Sequence, residues 1–305
     1  MAVIMKIQHL CLPALLLAAL LPLPGRAEAA AREPLVLAAT IFPAADMVRR
    51  VAGPDIRVIQ VLPAGASPHT FELAPGQVRE LQRASMVFKI GGVDDWVDGI
   101  AESNPRATIV TLRKNVSLLP FHEDGHAQGA GARREADFDP HYWLSAANAI
   151  VMARNVADAL CAVAPAREAA FEANYRELAL ELARLHAEIK SELSKLKTKR
   201  MIVFHDGWRY FAAAYGLEIV AVFQVSPGRE PAPRDLQKMY DVVRKYSIRA
   251  IFSEPQLPQE SLEPLAQDLG LTMVVLDPLG GAAPGDSYAG LMRRNARAIR
   301  DALDR

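Results

Sequence analysis

Residues Ala166–Lys197 contain no glycine and no proline, are rich in Ala, Leu, Glu, Arg and Lys, and follow Pro165. That composition reads as one long helix with proline at its start. At about 1.5 Å per residue it would extend roughly 45–50 Å, the length of a two-lobe protein rather than of one small core. Its apolar positions Phe171, Tyr175, Leu178, Leu182, Leu185 and Ile189 form a stripe of about three heptads, which suits packing across two bodies. A coiled-coil dimer is the competing use of the same stripe.

On both sides of this helix, short β-branched runs alternate with amphipathic stretches. Before it come Leu35–Phe42, Ile56–Pro63, Met86–Gly91 and Thr108–Leu112, with helical patterns at Ala44–Val51, Pro75–Arg83 and Ala147–Val163. After it come Met201–His205, Ile219–Val225, Ala250–Ser253 and Thr272–Leu276, with Asp235–Tyr246 and Tyr288–Leu303. Strands interleaved with helices predict an α/β fold with mostly parallel sheets. The expected organisation is a first lobe over 30–165, the linking helix over 166–197 and a second lobe over 198–305. A chain of 305 residues that is 51% hydrophobic can fill two such lobes. Its 35 basic and 35 acidic residues balance, so charge gives no reason to expect nucleic acid or an acidic membrane as partner.

Residues 1–29 read as a secretory signal. Lys6 precedes an apolar run from Leu10 to Pro24, and Ala27-Glu28-Ala29 supplies the small-residue cleavage pattern. The run contains Pro13 and Pro22 and falls short of the ~20 residues that span a bilayer. Cys11 sits early in the run after His9 and Leu10, which predicts no lipid anchor. Once the signal is removed Cys161 is the only cysteine, so no internal disulfide is available in the oxidising compartment. Cys161 is expected to be a buried small hydrophobe.

Of seven histidines, His9 leaves with the signal. His69 follows the second strand in Ser67-Pro68-His69-Thr70-Phe71-Glu72. His141 enters a helix in Asp139-Pro140-His141-Tyr142-Trp143-Leu144, His205 ends the strand Met201–His205, and Asp277 follows Thr272–Leu276. Loops at strand ends commonly build ligand sites in α/β sheets. Taken singly, each histidine is more often structural than ligating. Jointly they form two pairs with the same 72-residue offset, one pair in each predicted lobe. Three imidazoles and one carboxylate make a tetrahedral Zn²⁺ shell, and the carboxylate offsets part of the charge. No compact motif such as H-E-x-x-H occurs.

Those segments, together with Phe204-His205-Asp206-Gly207-Trp208-Arg209-Tyr210-Phe211, Phe252-Ser253-Glu254-Pro255-Gln256 and Leu276-Asp277-Pro278-Leu279-Gly280, resemble the zinc and manganese solute-binding proteins of bacterial ABC importers. The resemblance covers essentially the whole mature chain in order. It implies two α/β lobes joined by a long helix and one Zn²⁺ per chain held by His69, His141, His205 and Asp277. It also implies a periplasmic, monomeric, non-enzymatic receptor that hands metal to a membrane permease, with a metal-delivering chaperone as a further partner. Manganese members carry glutamate where this chain has His205, and the extra imidazole favours zinc. Two family features are unmatched: the glycine-rich segment Phe121–Asp139 has only His122 and His126 as histidines, and Cys161 has no cysteine partner. That segment is expected to be a surface loop.

Other readings stay open at this level. A manganese or iron receptor shares the plan. A secreted zinc hydrolase would need an open coordination position and a base such as Glu72 or Glu254. A haem or iron-chelate receptor would call for cationic or aromatic cleft residues. Glu254 is read equally as a residue orienting a ligand imidazole or as a surface acid. His186 is expected to be solvated, and Trp96, Trp143 and Trp208 to be packing residues.

Overall fold

The period-2 pattern of the strand runs sends alternate side chains into different layers. In the computed structural model, which describes residues 35–120, 138–224, 233–257 and 259–304, Leu37 and Ala39 of β1 (Val36–Ala39) face one core while Ala38 faces another. Met86 and Phe88 of β3 (Met86–Lys89) likewise part from Val87. These two strands are buried on both faces, as parallel strands covered by helices on each side must be.

The first sheet has the order β2-β1-β3-β4, with β2 at Arg57–Gln60 and β4 at Thr108–Thr111. The second repeats that order as β6-β5-β7-β8, from Arg200–His205 (β5), Glu218–Gln224 (β6), Ala250–Ser253 (β7) and Thr272–Val275 (β8). All neighbouring strands are parallel. The helices are α1 (Phe42–Ala52), α2 (Pro75–Leu81), α3 (Ile100–Ser103), α4 (Ala146–Val163), α5 (Glu168–Ser194), α6 (Arg209–Tyr215), α7 (Pro233–Tyr246), α8 (Glu263–Asp268) and α9 (Tyr288–Leu303). The chain is thus a pair of parallel α/β lobes with a long helix between their sequences.

Helix α5 has 27 residues, or about 40 Å. It is shorter than expected because Pro165–Arg167 forms a tighter 3₁₀ turn, a common form at helix starts, and because regular helix ends at Ser194. Phe171, Leu178, Leu182, Leu185, Ile189 and Leu193 are all buried within the chain, so the apolar stripe serves intramolecular packing. Glu181 pairs with Arg50 of α1, whereas Glu188 and Glu192 pair with Arg293 and Arg300 of α9. One continuous core contains Phe88 and Val48 from the first half, Leu185 from α5, and Met201, Phe252 and Met292 from the second. Helix α4 is apolar and long enough to cross a membrane by composition, but Ala149, Met152, Ala153, Val156 and Leu160 place it in this core.

Two expectations need correction. Cys161 is only half-buried, because it sits near the end of α4 on the flank of the core rather than on its buried face. His186 is not freely solvated: its ring lies 5.3 Å from that of Tyr215, and its Nδ1 is buried without a hydrogen-bond partner among the described residues. Trp143 and Trp208 are buried as expected, and Trp96 packs partly buried at the core edge. The signal segment 1–29 with Cys11, and His122 and His126, lie outside the described residues.

Candidate metal centre

Parallel sheets leave their carboxyl-terminal strand ends open to loops, and the candidate side chains gather there. His205 is the last residue of β5, Glu254 directly follows β7, and His69 lies in the loop after β2. His141 precedes the 3₁₀ turn Tyr142–Leu144 that leads into α4. Ligand-capable atoms of His69, His141 and His205 all lie within 4.8 Å of one another. Their ring centroids are 4.9–5.3 Å apart. His141 and His205 are buried while His69 keeps an exposed face.

His141 Nε2 and His69 Nε2 lie 3.3 Å apart. Two nitrogens each about 2.05 Å from a tetrahedral Zn²⁺ stand about 3.3 Å apart, so this pair fits one shared ion. The cleft they line, with Ser67, Trp143, Gln256 and Pro278, encloses only about 20 Å³. That is room for about one water-sized body.

Carboxylates back two of the imidazoles. Asp139 Oδ1 is 2.8 Å from His141 Nδ1 and also accepts from the His141 backbone N–H at 3.0 Å. A ring that donates from Nδ1 keeps the Nε2 lone pair for a metal. Glu254 is almost fully buried, and its Oε1 lies 3.3 Å from His205 Nδ1 while accepting from Trp208 Nε1 at 2.9 Å. Glu254 therefore sits where an orienting residue belongs, not on the surface.

The electrostatics of the three rings differ. Burial among its neighbours, followed by repulsion from His141 and His205, pushes the His69 pKa down to about 2 despite its exposed face. Burial alone also lowers that of His205. The charge and hydrogen bond of Glu254, aided by Asp206 and Asp139, more than offset this, and the net direction is upward. A neutral His69 is ready to ligate, whereas His205 must shed any proton it carries.

Asp277 follows β8 as expected, but it does not join the three-histidine group within 4.8 Å. Its Oδ1 accepts from Gln256 Nε2 at 2.9 Å and from the Leu279 N–H at 3.0 Å. Asn295 clasps its backbone, accepting from Asp277 N–H and donating to its carbonyl. Glu72 is exposed and outside the group. Sequence reasoning passed over Asp139 as an orienting residue, although a carboxylate two residues before a histidine is a local signal for such a bond. It also passed over Gly207, where a Cβ would stand 3.0 Å from His205 Nδ1.

The sequence from 37 to 302 matches the family of the zinc-uptake complex component A, periplasmic. The chain belongs to this family. It is 28% identical over 280 residues to the zinc-binding lipoprotein AdcA of Streptococcus pneumoniae, covering 88% of this chain and 56% of that one. The chain thus spans about half the length of the curated relatives it first matches. Among solved structures, ZnuA is similar at a TM-score of 0.79 with 26% identity, covering 89% of this chain and 100% of the other. The Zn(II)-bound ZnuA-like domain of Streptococcus pneumoniae AdcA is similar at 0.72 and 26%, covering 89% and 100%. The lipoprotein name runs against the expectation of no lipid anchor.

Proposed function

We propose that this chain is an extracytoplasmic receptor that binds one Zn²⁺ with His69, His141 and His205 and delivers it to the permease of an ABC importer. The observation that carries this reading is the 3.3 Å separation of the His69 and His141 Nε2 atoms beside the buried imidazole of His205, in a cleft of about 20 Å³. A haem or an iron chelate needs a pocket of several hundred Å³, on the order of 300 Å³ or more. Three nitrogen donors suit Zn²⁺ better than Mn²⁺, which prefers carboxylates.

Asp277 is the proposed fourth ligand, completing a closed shell once its carboxylate exchanges a bond to Gln256 or Leu279 for the ion. A closed shell speaks for a carrier over the hydrolase reading, and so does membership in an uptake family. The mature chain is proposed to work as a periplasmic monomer, with lobes over 30–165 and 198–305 linked by residues 166–197, and to receive its metal from a chaperone. A mature mass that begins at Ala30 is the expected result of export.

Elemental mass spectrometry and equilibrium dialysis of the purified chain test the receptor reading. One tightly held Zn²⁺ is expected; two equally tight sites, or none, count against it. Replacing Asp277 with Asn should weaken zinc retention without changing the stoichiometry, and unchanged retention would remove Asp277 from the shell.

A further inference from the structure

The segment that carries His205 continues into Arg209 and Tyr210, and both side chains reach across to the residues that support His141. Tyr210 Oη donates to the Asp139 carbonyl at 2.9 Å and accepts from the Leu119 N–H at 2.8 Å. Arg209 Nη1 donates to the Pro120 carbonyl at 2.5 Å and lies 3.8 Å from Asp139 Oδ2. Leu119 and Asp139 are themselves joined, since the Asp139 N–H donates to the Leu119 carbonyl at 2.9 Å. On the other side of His141, Trp143 Nε1 donates to the Pro278 carbonyl and Tyr288 Oη donates to the Trp143 carbonyl.

We infer that Arg209 is a positioning residue for His141: it holds the Asp139 carboxylate, which in turn fixes the imidazole that faces the metal. The inference rests on the zinc-receptor reading for its purpose, but its geometry stands without a metal. Asp139 is 2% exposed. Its two oxygens have different work. Oδ1 takes the ring and backbone N–H of His141, and Oδ2 has no hydrogen-bond partner among the described residues. A buried carboxylate left with one bare oxygen is costly unless a cation stands near. The guanidinium at 3.8 Å is too far for a hydrogen bond but within ion-pair reach. Arg209 is itself only 18% exposed along its side chain and is pinned by Pro120, so the charge is held in place rather than swinging in solvent.

A consequence follows for how the site is assembled. His141 and His205 are 64 residues apart in sequence, yet the stretch His205–Tyr210 supplies one ligand directly and braces the other through Asp139. A displacement of that stretch would therefore disturb two of the three imidazoles together.

The test compares Arg209→Met and Arg209→Lys with the unaltered chain. In metal-free protein with ¹⁵N-labelled histidine, the His141 Nδ1–H signal, assigned by its absence in His141→Gln, should be protected from exchange in the unaltered chain. It should be lost or broadened in Arg209→Met and retained in Arg209→Lys. Competition titration against a chromophoric chelator should show zinc bound about tenfold more weakly by Arg209→Met, the low end of what loss of a ligand-orienting partner costs, with most of that recovered in Arg209→Lys. An unchanged Nδ1–H signal and unchanged zinc affinity in Arg209→Met would overturn the inference. So would equal loss in both variants accompanied by a lower unfolding temperature, which would mark Arg209 as a packing residue. Failure of the unaltered chain to bind zinc would instead remove the receptor reading, and the metal-free imidazole signal would still decide whether Arg209 holds His141.

Discussion

Trp208 and Glu254 share a buried hydrogen bond, with the indole Nε1 donating to Oε1 at 2.9 Å, and that same oxygen faces His205 Nδ1 at 3.3 Å. The indole thus helps fix a carboxylate that orients a candidate ligand. Glu254→Gln keeps the shape and an acceptor for Trp208 but removes the charge. Zinc should bind roughly 10-fold more weakly, within the usual cost of altering such a partner. The His205 pKa should fall, because the charge that raises it is gone. Histidine-detected NMR titration of the metal-free protein, alongside zinc competition, checks both; an unmoved His205 titration would mean that Glu254 does not govern this ring.

Gly207 sits where the chain passes the rings at close range. A Cβ there would lie 3.0 Å from His205 Nδ1, 3.1 Å from its Cε1 and 3.3 Å from His141 Cδ2. Gly207→Ala should therefore push His205 out of register and weaken zinc binding, with a stability loss on the order of 1–3 kcal/mol typical of overpacking. Gly99→Ala, where a Cβ meets nothing within 4 Å, serves as the control. Equal zinc affinities for the two variants would show that the rings tolerate the methyl group.

Acid should destabilise the metal-free protein through His69. The folded chain resists protonation of this ring down to about pH 2, against an ordinary value of 6.5. The unfolded chain takes up that proton first as pH falls. The resulting stability is therefore fully present above about 6.5 and is lost as pH drops toward 2. His205 has the opposite sign: with a raised folded pKa, its contribution is present in acid and is lost as pH rises through the folded value. Melting temperatures measured from pH 7 to pH 4 should fall less steeply in His69→Gln than in the unaltered chain. Parallel curves would refute the assignment.

Much of this fold was legible because it rests on local periodicity. The predicted strands Met86–Gly91 and Met201–His205 correspond to observed strands whose alternate residues enter separate cores. The stripe Leu178, Leu182, Leu185 and Ile189 marked the buried face of α5. His69, His141 and His205 stood out because they end a strand, enter a helix or lie in the loop after a strand. What stayed hidden depends on partners distant in sequence. Nothing near Arg209 announces that it faces Asp139, 70 residues away, and nothing near His186 announces Tyr215. Asp277 was visible as a residue after a strand, but its bond to Gln256 is a tertiary fact that no spacing encodes.

The nature of the donor at position 205 should set the preference between metals. His205→Glu exchanges a nitrogen donor for a harder oxygen donor, so Zn²⁺ should lose more than Mn²⁺, although zinc can remain the tighter ion because the intrinsic order of divalent affinities favours it. The structure adds a complication to the simple substitution. Glu254 Oε1 lies 3.3 Å from His205 Nδ1 and is nearly fully buried, so a second carboxylate at 205 would meet a like charge and raise the cost for either metal. That cost is common to both ions and cancels in the ratio of their affinities, whereas the change of donor does not. Competition titrations of Zn²⁺ and Mn²⁺ should therefore be run on the unaltered chain, on His205→Glu, and on His205→Glu combined with Glu254→Gln. The zinc-to-manganese ratio should fall in both variants, and absolute affinities should partly recover in the double variant. An unchanged ratio would mean that selectivity is set elsewhere in the shell.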